Sequence, residues 1–200
     1  ALDFDGVNDY VDCGDEAAFE FSSAFSIEAW VLQENTVATG TIAAKSNAKA
    51  SNGRGYQLVL NNSVPNLKFY NNSGALLVNI TSPYTITNDR WYHIAATYNG
   101  TTARLYIDGI EVVNGTTSAP SYSTEKFIIG ATYDSDTPTA PKNYFDGFID
   151  EVRIWNTSLS VNQLREMMNQ EIEQNGTAVR GKVIPLDISG GLQWANLEGY

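Results

Sequence analysis

Apolar and polar residues alternate with a period of two in short runs along most of the chain, and this predicts strands rather than helices. Leu2 and Phe4 alternate with Asp3 and Asp5, the chain turns at Gly6, and the apolar run resumes at Tyr10 and Val11. Phe25, Ile27, Ala29 and Val31 share one face of the next strand, with Ser26, Glu28 and Trp30 on the other. A large aromatic opposite the core face implies that both faces are covered, which favours two packed sheets over one. Short strands are predicted at 41–44, 56–60, 67–70 and 76–80, separated by Asn-, Gly- and Pro-rich turns such as Asn52-Gly53. The strongest hairpin signal is Asn99-Gly100 between 93–98 and 101–107, because both central positions of the favoured turn need positive φ. Asp108-Gly109 turns the chain again into 110–113, and 127–130 is a further buried strand.

The run from Tyr144 to Asn156 reads as the last long strand and repeats the mix of acids, apolar residues and glycine found in the first segment, so the two ends are expected to pair. Ser160-Val161-Asn162-Gln163 has the form of a capping box, and Leu164, Met167 and Met168 follow at helical spacing. From Glu171 the alternation fades, and 171–200 reads as an extension leading towards a further module, beyond a domain at 1–170. The expected fold is all-β: two packed antiparallel sheets with one short C-terminal helix.

Composition narrows the function classes. With 12 basic against 23 acidic residues the formal net charge is −11, a field that repels nucleic acid and anionic membrane surfaces, so neither is an expected partner. Cys13 is the one cysteine, which leaves no intrachain disulfide, and no apolar run approaches the ~20 residues that span a bilayer. His93 is the one histidine, standing in a strand beside Trp91, Tyr92 and Ile94, and no Gly-x-Ser-x-Gly motif accompanies it. Strand packing is its expected role, as it is for Trp30, Trp91 and Trp155.

Four stretches resemble the laminin G-like, concanavalin A-like jelly-roll modules, in the branch similar to pentraxins. They are Phe4-Asp5-Gly6-Val7-Asn8-Asp9-Tyr10-Val11, Phe25 to Val31, Trp91 to Ala95 running on to Leu105-Tyr106-Ile107-Asp108-Gly109, and Phe145 to Asn156 with Leu159-Ser160. The resemblance implies that the two antiparallel sheets form a concanavalin A-like jelly-roll sandwich, used as an accessory module of a secreted or cell-surface protein. Its partner would be a polysaccharide or cell-surface glycan, or a neighbouring protein module. It also implies calcium tying the first strand to the last, with Asp5 and Asp150 as the best-matching positions.

Calcium takes six to eight oxygen ligands in irregular geometry, which suits acids and amides drawn from separate turns. Asp5, Asn8 and Asp9 around Gly6, with Asp146 and Asp150 from the closing strand, form the candidate metal set. The alternative is that Asp5 and Asp9 form turns and Asp150 caps a bulge through backbone amides. A second candidate is the loop 131–143, long enough to suggest function. Of the pentraxin-like calcium loop only Asp134 matches, since Thr132-Tyr133 stands where that pattern has Glu-Gln. Tyr133 and Tyr144 would instead offer apolar faces to a sugar, with Asp134 and Asp136 accepting hydroxyl hydrogen bonds. A glycanase would need two acids on one strand face, and the pattern Glu-x-Asp-x-Glu is absent. The leading expectation is therefore a noncatalytic, calcium-stabilised binding module. A purely structural adhesion or spacer repeat is the second, and a glycanase or polysaccharide lyase the third.

Overall fold

The computed structural model describes residues 1–47, 54–71, 73–122, 125–133, 140–175 and 178–183. Asp134, Asp136 and Trp194 lie outside the described residues.

The chain opens with β1 (Leu2–Asp5), β2 (Val11–Asp12) and β3 (Phe25–Gln33). A meander follows: β4 (Gly40–Asn47), β5 (Arg54–Asn61), β6 (Val64–Tyr70) and β7 (Leu76–Thr81). Next come β8 (Trp91–Tyr98), β9 (Thr102–Ile107) and β10 (Ile110–Thr116), then the short β11 (Phe127–Ile129), β12 (Thr132–Tyr133) and β13 (Pro141–Lys142). The long β14 (Asp146–Trp155), helix α1 (Val161–Met167), β15 (Gln170–Asn175) and β16 (Ala178–Val183) close the series.

Two sheets face each other. The first runs β1-β14-β3-β8-β9-β10, and the second runs β13-β12-β4-β5-β6-β7 with β11 and β2 attached through β4. The expected pairing of the chain's ends is present: β1 lies antiparallel to β14, with Leu2 opposite Ile149 and Asp5 opposite Asp146. Alternation then decides what lies between the sheets. Phe25, Ile27, Ala29 and Val31 from the first sheet meet Tyr56, Leu58, Leu60, Leu67 and Phe69 from the second in one buried cluster.

Trp30 departs from expectation in an informative way. Its face is covered, but by the helix side of the molecule and not by a second sheet. Its indole Nε1 donates to the carbonyl of Met168 at 3.0 Å. Leu159 and Leu164 pack with Ala95 and Tyr106 on that face, with Trp155 and Met167 at the margin. The helix begins as the sequence indicates: Ser160 Oγ accepts from the Gln163 amide, and the Gln163 side chain accepts from the Ser160 amide at 2.9 Å.

The two tight turns exchange roles relative to the sequence signal. In the Asn99-Gly100 turn only Gly100 has positive φ, and Asn99 Oδ1 accepts from the amides of Thr101 and Thr102 at 3.1 and 2.8 Å. Asn99 therefore caps a longer turn with its side chain instead of entering the left-handed region. Asp108 (50°) and Gly109 (70°), between the paired Ile107 and Ile110, instead form a two-residue hairpin with both φ values positive, as do Asn62 (47°) and Ser63 (64°) between the paired Asn61 and Val64.

The sequence signal fades at β15, where Ile172 is the only apolar residue, yet β15 and β16 pair as a hairpin from Gln170↔Val183 to Asn175↔Ala178.

Candidate functional site

The acids of the terminal strands divide into two groups. Asp5 and Asp146 face each other across the β1–β14 pair. Asp5 Oδ1 accepts from the amides of Val7 (2.8 Å) and Asn8 (3.2 Å), and Asp9 Oδ2 accepts from the Asp5 amide at 3.1 Å. These amide bonds hold the Asp5 carboxyl below its ordinary value, the bond from Val7 contributing most. Gly6, at φ +74°, lets the chain turn beside Asp146, since a Cβ there would stand 2.8 Å from Asp146 Oδ2. Asp146 Oδ1 in turn accepts from Asn35 Nδ2 at 3.0 Å. Asn8 is exposed at the same turn.

Asp150 does not join them. Four residues further along an extended strand place it about 13 Å from Asp146. There its Oδ2 lies 3.3 Å from the Ala1 amino group, and its Oδ1 accepts from the Glu151 amide at 2.9 Å. That last bond caps the bulge of β14, where the register with β3 shifts between Asp150 and Arg153. Asp5, Asp9 and Asp146 have carboxylate oxygens that suit a hard cation, and among the described residues no basic side chain pairs with them. Among the described residues, however, no three His, Cys, Asp or Glu side chains close on one point as a ligand set.

A second group forms where β2 joins β11. The register Ile129↔Val11 and Ile128↔Asp12 brings Tyr10 to the strand end that leads through Gly130 into β12. The Phe145 amide donates to the Gly130 carbonyl at 2.8 Å, which brings Tyr144 to the same edge. Tyr144 donates its hydroxyl to the Pro141 carbonyl at 2.6 Å, and Pro141 pairs with Tyr133 across β12–β13. Burial raises the Tyr133 hydroxyl first; Lys126 opposes this, while Asp12, Tyr10 and Tyr144 add to it. Burial likewise raises Tyr144, with Tyr10 adding. Lys126 and Asp12 pair at 2.5 Å beside them. The expected pair Tyr133 and Tyr144 is thus brought together. Tyr10, Asp12 and Lys126 belong to the same edge and were missed, because the pairing that gathers them joins segments more than a hundred residues apart and leaves no local pattern.

His93 is fully buried on the outer face of the first sheet, in line with a packing role. Its Nε2 lies 3.4 Å from Glu28 Oε2, and its ring meets Trp30 edge-on at 5.4 Å between centroids. Arg153 Nη1 reaches Glu28 Oε1 at 3.4 Å, while Nη2 donates to Glu151 and to the Gln170 carbonyl. Glu151, at φ +51°, also accepts from the Ile172 amide at 2.9 and 3.0 Å, which fastens β15 to the sandwich. Trp91 and Trp155 are half-buried, Trp91 against Phe148 and Trp155 in the helix cluster. Cys13 is a half-buried free thiol raised by burial and by Asp12. Among the described residues no helix is long and apolar enough to cross a membrane.

Residues 5–165 match the family model described as the concanavalin A-like lectin/glucanases superfamily. No curated protein sequence matches the chain. Among solved structures, a Bacteroides ovatus protein with a provisional carbohydrate-binding assignment superposes with a TM-score of 0.62 at 18% identity over 86% of this chain. The chain spans about half of that protein, 52% of its length. The CBM40 of the Ruminococcus gnavus IT-sialidase, solved with α2,3-sialyllactose, gives a TM-score of 0.68 at 13% identity, covering 82% of this chain and 95% of that one. A heptameric SAP-like pentraxin from Limulus polyphemus gives 0.55 at 15% identity, covering 82% and 79%.

Proposed function

This chain belongs to the concanavalin A-like lectin/glucanases superfamily, and on that footing we propose that it is a noncatalytic glycan-binding module of a larger secreted or cell-surface protein. The observation that carries this reading is the edge where the β2–β11 and β12–β13 pairings bring Tyr10, Tyr133 and Tyr144 beside the Asp12–Lys126 pair. Aromatic faces beside hydrogen-bonding groups suit the mixed apolar and hydroxylated surface of a sugar. The carbohydrate-binding character of two of the structural relatives supports it. The noncatalytic part is supported by the burial of Glu28 and His93, which keeps both from a substrate.

On a glycan array the full chain is expected to bind at least one polysaccharide fragment. Tyr133→Ala and Tyr144→Ala should each weaken that binding about tenfold, or ~1.4 kcal/mol. An array without hits, or variants that bind as the parent does, would remove the reading and favour a spacer repeat.

Calcium belongs to the same proposal, at the turn of Asp5, Asn8, Asp9 and Asp146, with Asp150 standing aside. Calorimetric titration should show calcium binding, and melting should shift on chelation in the parent and in Asp150→Ala but not in Asp146→Ala. A chain whose melting ignores chelator and that gives no heat with calcium has no such site.

A further inference from the structure

An open sheet ends in edge strands whose outward amides and carbonyls have no ladder partner, and natural chains blunt such edges with charge, proline, bulges or short length. The first sheet ends at β1 and β10, and the main path of the second ends at β13 and β7. Three of these ends carry that protection. β1 is four residues long and includes Asp3 and Asp5. β10 carries Glu111 and a register shift between Glu111 and Val113. β13 is the two-residue strand Pro141–Lys142. The side branch β2 is likewise two residues long, with Asp12.

β7 lacks these devices over most of its length. Leu76-Leu77-Val78-Asn79-Ile80-Thr81 contains no charged residue, proline or glycine. Its one irregularity lies at the start, where the register with β6 shifts between Phe69 and Tyr70, and from Val78 to Thr81 the pairing is regular. Val78 and Ile80 turn inward opposite Phe69 and Leu67. Gly115 of β10 comes close to both from the facing sheet: a Cβ there would stand 3.2 Å from Ile80 Cγ2 and 3.5 Å from Val78 Cγ2. Leu76, Asn79 and Thr81 are exposed. Among the described residues no strand pairs with the outer side of β7, so it presents an uncharged extended backbone to solvent.

Charge selects what can approach this edge. The chain has a net charge of −11 and 23 acidic residues, yet the stretch from Asn35 to Asn88, which builds β4 to β7, contains none of them. Two copies of so acidic a protein repel each other over most of their surface, and β7 is the edge strand where that repulsion is weakest. A strand meets its own copy antiparallel about a two-fold axis, so the same residues serve on both sides and the contact closes as a dimer.

We propose that β7 is a self-association edge, at which a second copy of this chain adds its own β7 antiparallel and joins the two second sheets into one continuous sheet. Backbone hydrogen bonds along Val78–Thr81 hold the pair, and the neutral side chains of Asn79 and Thr81 let the strands close. The inference goes beyond the glycan-binding reading and does not depend on it. It does bear on it, because the Tyr133 edge at β12–β13 lies at the opposite end of the same sheet from β7. Both tyrosine edges stay open in the dimer, roughly 40 Å apart at ~4.8 Å per strand, and a surface bearing many glycans would meet two sites at once.

The test is sedimentation equilibrium of the full chain up to about 0.1 mM, which should fit a monomer–dimer equilibrium. Asn79→Lys puts like charges close together across the two-fold axis and beside Lys68, its partner on β6. It should weaken dimerisation at least about tenfold while dilute protein melts as the parent does. Mixing it with Asn79→Glu should restore dimers of one copy each, counted by native mass spectrometry, and this rescue reads the interface even if the lysine variant melts lower. Ile110→Lys, at the β10 edge, should associate as the parent does. A parent that stays monomeric, assemblies that grow beyond the dimer, association indifferent to Asn79→Lys, association lost in Ile110→Lys, or the absence of mixed dimers would each overturn the inference.

Discussion

Phe25→Ala is expected to destabilise the domain by about 3–5 kcal/mol, a large share of the ~5–15 kcal/mol that holds a typical domain together. The ring is 1% exposed and sits where the two sheets meet. Its centroid lies 5.0 Å from Phe21, 4.9 Å from Tyr56, 5.5 Å from Phe69 and 6.1 Å from Tyr98. Tyr56 and Phe69 belong to the second sheet and Tyr98 to the first, so one side chain ties both layers. Truncation removes the burial of a whole ring and leaves a cavity that partners fixed on regular strands cannot close. Urea unfolding should show a lower midpoint at unchanged slope. A loss under about 1.5 kcal/mol would mean that the sheets collapse onto the vacancy and that this aromatic cluster does not set the sheet spacing.

Arg153→Leu is expected to cost about as much, ~3–5 kcal/mol, for an electrostatic reason. Glu28 is 0% exposed in the middle of the first sheet, and among the described residues Arg153 is the permanently charged group that reaches it, at 3.4 Å. Arg153 also joins Glu151 and the Gln170 carbonyl, so its removal leaves a buried carboxylate and loosens β15. Adding Glu28→Gln to Arg153→Leu removes that stranded charge and should recover at least half of the loss in a double-mutant cycle. If the double variant is as unstable as the sum of the singles, Arg153 acts by packing its stem over the sheet and not by pairing Glu28.

The geometry behind this second effect was hidden in the chain. Period two assigns Asp150 and Glu151 to opposite faces, and Arg153 to the face of Glu151. The bulge changes this count: Asp150 stays opposite Trp30 while Arg153 moves opposite Glu28. Glu151 takes a left-handed φ of 51°, uncommon for a residue with a Cβ, and turns its carboxylate towards β15. Alternation alone cannot foresee such an insertion, because its reason lies in the partner strand and in the segment it receives. The metal candidates show the same limit. Asp5 and Asp146 meet because the terminal strands pair, as the similarity of the two motifs suggested, whereas Asp150, grouped with them by residue type, is carried away by the rise of the strand.

What the sequence by itself determined was local or periodic: the strands, whose alternation reflects a buried and an open face, the Ser160–Gln163 cap, and the packing role of the lone histidine. These follow from interactions among residues a few positions apart, or from a pattern that burial imposes on every strand alike. Tertiary structure decided the rest. It chose the helix over a second sheet as the cover for Trp30, gathered Tyr10, Tyr133 and Tyr144 on one edge, and left β7 as the open edge of the second sheet. Each of those arrangements depends on strand order and register, which bring distant segments within a few ångströms of one another and which no short window of residues encodes.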